Sequence, residues 1–207
     1  MPPRHALVTL TASGWAALIA GHPAFTQDEA LALWPLRGWP LISRRRLADD
    51  PPDAIPLGLP LPPAQGKRRI ALTISEAAIA TIAEPPRLAE ARGCAPDAWQ
   101  ETIAALLALE PRTRCFGSLA WQHITGLAYL GAASDLDLLW PLPAEHTGLL
   151  DGITRIAGAA PMRIDGEVLG RPGAVQWREL ASADPVAVKG AEGITLMSRA
   201  DFVRGSA

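Results

Sequence analysis

Two short runs hold the residue types that could do chemistry: Gly117-Ser118, and Asp135-Leu136-Asp137 after sixteen intervening residues. The segment Arg112-Thr113-Arg114-Cys115-Phe116 is β-prone and ends at the Gly-Ser pair, and Ser118 to Thr125 reads as a short helix closed by Gly126. Such a turn offers unpaired backbone N–H groups, the positive end of a helix dipole and a hydroxyl, all suited to phosphate. Strand geometry in Ser134 to Trp140 sends Asp135 and Asp137 to one face and Leu136 and Leu138 to the other. Adjacent carboxylates repel, a divalent cation relieves the repulsion, and oxygen-only ligands suit magnesium rather than zinc. A Gly-Ser turn or an Asp-x-Asp strand face is commonplace by itself. Their order, with strand, helix and strand around them, predicts a phosphate-and-metal site for nucleotidyl transfer.

A third carboxylate is on offer in Arg163-Ile164-Asp165-Gly166-Glu167-Val168, where Asp165 and Glu167 share a strand face. Asp165 is the preferred third ligand and Glu167 the substitute; a charge on a surface hairpin is the ordinary alternative for both. Three acids could hold two Mg²⁺ ions about 3.5–4 Å apart, clamping the attacking and leaving oxygens of an in-line displacement.

The elements that must position these groups are punctuated by twenty prolines. The break at Glu84-Pro85-Pro86 predicts a domain boundary, with residues 1–85 a smaller α+β domain. Residues 86–207 are then a mixed-sheet α/β catalytic domain of nucleotidyltransferase type. In the first domain, His5 to Leu10, Trp39 to Arg46 and Arg69 to Ile74 read as strands. Trp15, Leu18 and Ile19 mark a helix, and Thr26 with Glu29 forms a capping-box pattern for another reaching Leu33 or Trp34. The proline-dense stretch from Asp50 to Pro63 is expected to be neither a central strand nor a helix interior. In the second domain, Pro96 to Leu109 and Leu149 to Ile156 read as helices, with Met162 to Leu169 and Ala174 to Leu180 as strands.

Of the 207 residues, 49% are hydrophobic and 19% charged, which describes a globular chain rather than a disordered one. A net charge of −2 argues against bulk binding to nucleic acid. Even so, Arg44-Arg45-Arg46 and Lys67-Arg68-Arg69 are clustered beside predicted strand ends, where they could converge. Arg44, Arg45, Lys67, Arg68 and Arg69 admit three uses: binding phosphates, docking an acidic partner, or solvating strand ends. Cys94 and Cys115 are too few for a disulfide framework, and Cys115 reads as a packed thiol. His5, His22, His123 and His146 lack zinc-ligand spacing, while Trp121 is a candidate wall for a substrate pocket. No apolar run suits a membrane span, and no small-residue cleavage site follows the apolar stretch Ala6 to Ala20, so a cytoplasmic protein is expected.

Gly117-Ser118 with Asp135-Leu136-Asp137 resembles the signature of DNA-polymerase-beta-like nucleotidyltransferases, with a longer spacing than most members have. The wider chain resembles the malonate decarboxylase holo-acyl-carrier-protein synthases, or phosphoribosyl-dephospho-CoA transferases. The matching stretches are Arg4 to Val8, Trp39 to Arg45, Pro56 to Pro60, Gly66 to Ile70, Phe116 to Gln122, Ser134 to Leu138 and Asp165 to Val168. Trp177-Arg178-Glu179 and Val188-Lys189 complete the match, which covers nearly the whole length.

That resemblance implies a reaction in which a serine of an apo acyl carrier subunit attacks the α-phosphorus of 2'-(5''-triphosphoribosyl)-3'-dephospho-CoA and pyrophosphate leaves. Asp135, Asp137 and Asp165 would hold Mg²⁺, and one of these carboxylates would take the serine proton. Gly117 and Ser118 would cradle the triphosphate, Lys189 would neutralise the pyrophosphate, and residues 1–85 would be the substrate- or carrier-binding domain. The competing expectations are the same fold moving AMP or another nucleotide onto a protein or small molecule, and a non-catalytic nucleotide-binding module.

Overall fold

The computed structural model describes residues 1–142, 148–190 and 193–205, and its backbone divides into two compact units, Met1–Pro85 and Pro86–Ala207. His146 lies outside the described residues.

The first unit runs β1 (Leu7–Leu10), α1 (Ala12–Gly21), α2 (Ala24–Gln27), α3 (Glu29–Arg37), β2 (Leu41–Ser43), β3 (Ile55–Pro60), β4 (Arg69–Ile74) and β5 (Ile79–Ala83). The five strands form an antiparallel sheet in the order β4-β3-β2-β1-β5. Two expectations fail here. The cap of α3 is Asp28, whose carboxylate accepts from the Ala30 and Leu31 amides, not Thr26. The Thr26 hydroxyl instead donates to the Pro23 carbonyl at 2.8 Å.

The second failure is β3, an interior strand built from the stretch whose prolines argued against one. Alternation along the strand explains how it forms. The Leu61 amide donates to Arg68 on the β4 side, whereas the Pro56 carbonyl accepts from Arg44 on the β2 side. Pro56 and Pro60 therefore direct their missing donors toward β2, where the ladder engages only Leu57 and Gly58, and the six-residue ladder to β4 stays whole. Leu57 and Leu59 meanwhile bury completely.

The second unit runs α4 (Leu88–Ala91), α5 (Gln100–Leu109), β6 (Arg114–Phe116), α6 (Gly117–Thr125), β7 (Leu136–Pro141), α7 (Leu149–Ala159), β8 (Ile164–Gly170), β9 (Gly173–Gln176), α8 (Trp177–Ser182), β10 (Val186–Lys189), β11 (Ile194–Met197) and α9 (Arg199–Arg204). Its six strands are ordered β11-β10-β9-β8-β7-β6, with β7 and β8 parallel and the other pairs antiparallel. Trp177 to Leu180, expected to extend a strand, opens α8 because the Gln176 side chain accepts from the Arg178 and Glu179 amides and starts a helix.

Period-two alternation splits this sheet into unlike faces. Leu136, Leu138, Trp140, Ile164, Val168, Val175 and Val188 point to one side and bury against Ile103 and Leu106 of α5 and Ile153 and Ile156 of α7. Arg114, Asp137, Asp165, Glu167, Gln176 and Lys189 share the other side. The chemistry has its own face.

Candidate active site

The Gly-Ser turn and the Asp-x-Asp strand meet through β6 and β7. Phe116 pairs with Asp137, so the chain leaving β6 turns directly over that carboxylate. Gly117 has φ +63°, and a Cβ there would lie 1.9 Å from Asp137 Oδ2. Only glycine both adopts this left-handed conformation readily and leaves room for the carboxylate. Ser118 follows in the first turn of α6, which begins with no side-chain cap and no acidic residue and ends at Gly126 in the left-handed conformation. The N-cap residue Phe116 therefore leaves the opening amides of α6 without a side-chain cap.

Asp165 is the lateral neighbour of Asp137, because the parallel register pairs them across β7 and β8. Cross-strand partners on one face have Cβ atoms about 5 Å apart. Two bonds fix Asp165 Oδ1: the Gly166 amide donates at 2.9 Å and Gln176 Nε2 at 3.1 Å. The second oxygen lies 3.5 Å from Arg163 Nη2. Asp135 stands one residue ahead of β7, and its Oδ2 is 3.6 Å from Arg163 Nη1. One guanidinium therefore balances Asp135 and Asp165 together. Among the described residues no group of three or more His, Cys, Asp or Glu side chains is drawn together around a point that could hold a metal ion.

Glu167 follows a different course from Asp165. It is buried, pairs with Leu139 in register, and its Oε1 accepts from Lys189 Nζ at 2.8 Å. Lys189 thus lies on the carboxylate-bearing face, engaged by Glu167.

Sequence reasoning passed over Gln176, Arg163 and Arg178. Their side chains converge on Asp165, but only the order of strands reveals this. Trp121 packs against Tyr129, with ring centroids 6.4 Å apart, and its neighbour Gln122 holds the chain that follows α6 by accepting from the Tyr129 and Leu130 amides. His123 is exposed. Burial excludes Cys115 from chemistry: it is inaccessible, and desolvation pushes its thiol up to about 12.

The two basic triplets do not converge. Arg44 follows β2 at the Ile55–Ile74 end of the β3–β4 ladder, whereas Arg69 pairs with Pro60 at the other end. Five residue steps separate the ends, roughly 17 Å along the strand. Arg44 is also engaged: its fork meets both oxygens of Asp50 at 2.6 and 2.7 Å and reaches the Leu57 and Leu72 carbonyls. The guanidinium holds the Asp50 carboxyl down at about 2, aided by the Leu47 amide. Arg46 binds the Pro51 and Ala54 carbonyls, and Arg68 pairs with Asp28, lowering that carboxyl. Arg45, Lys67 and Arg69 are exposed.

Comparison with known proteins covers both units. Residues 3–85 match the model described as the phosphoribosyl-dephospho-CoA transferase MdcG N-terminal domain, and residues 87–200 the corresponding C-terminal domain. A phosphoribosyl-dephospho-CoA transferase of Bradyrhizobium diazoefficiens is 39% identical over 213 residues, spanning 99% of this chain and 94% of the relative. One from Xanthomonas campestris pv. campestris is 39% identical over 208 residues, spanning 96% and 95%. No solved structure matches. Among the described residues no helix is long and apolar enough to cross a membrane.

Proposed function

The chain belongs to the phosphoribosyl-dephospho-CoA transferase family, and from that premise we propose a reaction for the carboxylate-bearing face. The substrate is 2'-(5''-triphosphoribosyl)-3'-dephospho-CoA, and the acceptor is a serine hydroxyl of the apo acyl carrier subunit of malonate decarboxylase. The serine oxygen bonds to the α-phosphorus, the bond from that phosphorus to the bridging oxygen breaks, and pyrophosphate departs. The product is a phosphodiester, and the serine proton passes to a carboxylate of the site.

The observation that carries this reading is the lateral row in which the Gly117 turn abuts Asp137 and Asp137 abuts Asp165. Backbone amides of α6 and the Ser118 hydroxyl receive phosphate oxygens. Asp137, confined by the turn, serves as the proton acceptor or the bridging ligand. Phosphoryl transfer depends mainly on positioning and charge stabilisation, which suits a face with no nucleophilic triad.

Asp135, Asp137 and Asp165 offer only oxygen donors, the ligand type a hard cation takes, and they are the residues that would hold Mg²⁺, although as placed the three do not close around one point. When bound, that ion neutralises charge on the phosphate oxygens. Until then the Arg163 guanidinium balances Asp135 and Asp165. Lys189 is engaged by Glu167 and would neutralise the departing pyrophosphate only by leaving that carboxylate. Arg45, Lys67 and Arg69 serve the donor or an acidic carrier; Arg68 does so only by leaving Asp28, and Arg44 is given over to its own loop.

Incubating purified protein with apo carrier, Mg²⁺ and the triphosphoribosyl donor, and reading the intact mass of the carrier, tests the proposal. The carrier should gain one phosphoribosyl-dephospho-CoA. A carrier unchanged by this donor but modified from ATP would overturn it in favour of ordinary nucleotide transfer.

A further inference from the structure

We propose that Arg178 is the fixed cation that grips the donor's phosphates beside Asp165, an assignment that rests on the reaction above and adds a substrate-binding residue to it. Three observations converge on its side chain.

Its hydrogen bond and its ring contact are both to groups other than an acid. Nη2 donates to the Ile164 carbonyl at 2.8 Å, at the start of β8, and the guanidinium carbon lies 4.4 Å from the centroid of the Trp177 ring. Trp177 is itself buried in the core, so the platform is rigid. The backbone of Arg178 is fixed as well, since its amide donates to Gln176 Oε1 at 2.7 Å.

Its neighbouring carboxylate pairs with it by charge without taking a hydrogen bond. Nη1 is 3.8 Å from Asp165 Oδ1, beyond hydrogen-bonding distance, and that oxygen already accepts from Gly166 and Gln176. Among the described residues neither Nε nor Nη1 of Arg178 donates a hydrogen bond, and the side chain is 44% exposed. A guanidinium has five donors in a planar fork that matches two phosphate oxygens. Here the fork is pre-set and largely unspent.

Its place in the fold completes the argument. Gly117 and Arg178 reach the carboxylate row from opposite sides, one through β6 and the other from the end of β9. Gln176 ties the two functions together, because one amide group starts α8 with its oxygen and orients Asp165 with its nitrogen. A polyanion lying along the row thus meets helix amides at one end and a locked cation at the other. Arg44 and Arg112, whose forks close on Asp50 and Glu110, offer no comparable donors.

The test compares Arg178→Gln and Arg178→Lys with the parent chain in the carrier-labelling assay, alongside inhibition by inorganic pyrophosphate. Arg178→Gln should raise both the KM for donor and the inhibition constant for pyrophosphate about ten- to hundredfold, the value of a hydrogen bond to a charged group. The KM for carrier should stay unchanged. Arg178→Lys, which keeps the charge and the stem over Trp177, should recover part of the loss, and it carries the test if the glutamine variant folds poorly. Unchanged donor KM and pyrophosphate inhibition in a labelling-competent variant would overturn the assignment, as would a rise confined to carrier KM. Failure of the parent chain to label the carrier would instead sink the underlying reaction and is read separately.

Discussion

The basic residues of the first unit's turns and the charged row on the second unit's sheet face are used differently. In the first, Arg44, Arg46 and Arg68 turn back onto Asp50, Asp28 and nearby carbonyls, closing the turns around a proline-bearing sheet. In the second, Asp137 and Asp165 stand side by side in register, Asp135 shares one guanidinium with Asp165, and Arg178 keeps donors to spare. Charge that finds its partner within the fold serves the fold. Arg178 differs in that the fold fixes its guanidinium and leaves most of its donors unspent, which is why the proposal above gives it a ligand.

The sharpest way to break this contrast is Asp137→Asn. The amide keeps the shape of the side chain but loses its charge, so carrier labelling should fall on the order of a thousandfold with little change in melting temperature. Labelling near that of the parent would remove Asp137 from the site. Gly117→Ala should come next, because a methyl group collides with Asp137 and the left-handed backbone is strained. We expect about a hundredfold loss of activity from the displaced carboxylate and roughly 1–3 kcal/mol of destabilisation, read by denaturant unfolding.

Arg44→Ala should show the opposite signature. Labelling per folded molecule should hold while the melting temperature drops by about 5 °C or more, since Asp50 loses its fork. Donor KM rising without a change in melting temperature would reverse the roles given to the two units. The same pair sets an acid limit. Because Asp50 is depressed from 3.8 to about 2, its contribution is complete above pH 3.8 and fades as pH falls through about 2. Asp50→Asn should abolish that segment of the stability-versus-pH curve, followed by circular dichroism. The smallest effect belongs to Lys67→Ala, an exposed site where stability should change by less than about 0.5 kcal/mol. A few-fold rise in donor or carrier KM, greater at low salt, is the expected reading.

Local signals were legible in the sequence where one physical cause dominated. The Gly117-Ser118 turn, the helix closed by Gly126 and the strand Arg69–Ile74 follow from turn chemistry and alternation within a few residues. Features that depend on which side of a strand faces which neighbour were hidden. The prolines of β3 are tolerated only because of where β2 ends, and Trp177 to Leu180 became helix because Gln176 acts as a cap, a role its residue type seldom takes. Side-chain occupancy was equally hidden. A run of three arginines looks the same whether its members await a ligand, as their type suggested, or bind Asp50 and loop carbonyls, as Arg44 and Arg46 do. Asp165 and Glu167 look alike in the sequence; the register sets Asp165 beside Asp137, while Glu167 is engaged by Lys189.

The parallel pairing of β7 with β8 has one more consequence. Sliding β8 by a single position would turn Asp165 inward among leucines and bring Ile164 or Gly166 beside Asp137. Setting the two carboxylates side by side and burying the leucines of the opposite face are therefore one event, and a misaligned molecule would lose both at once.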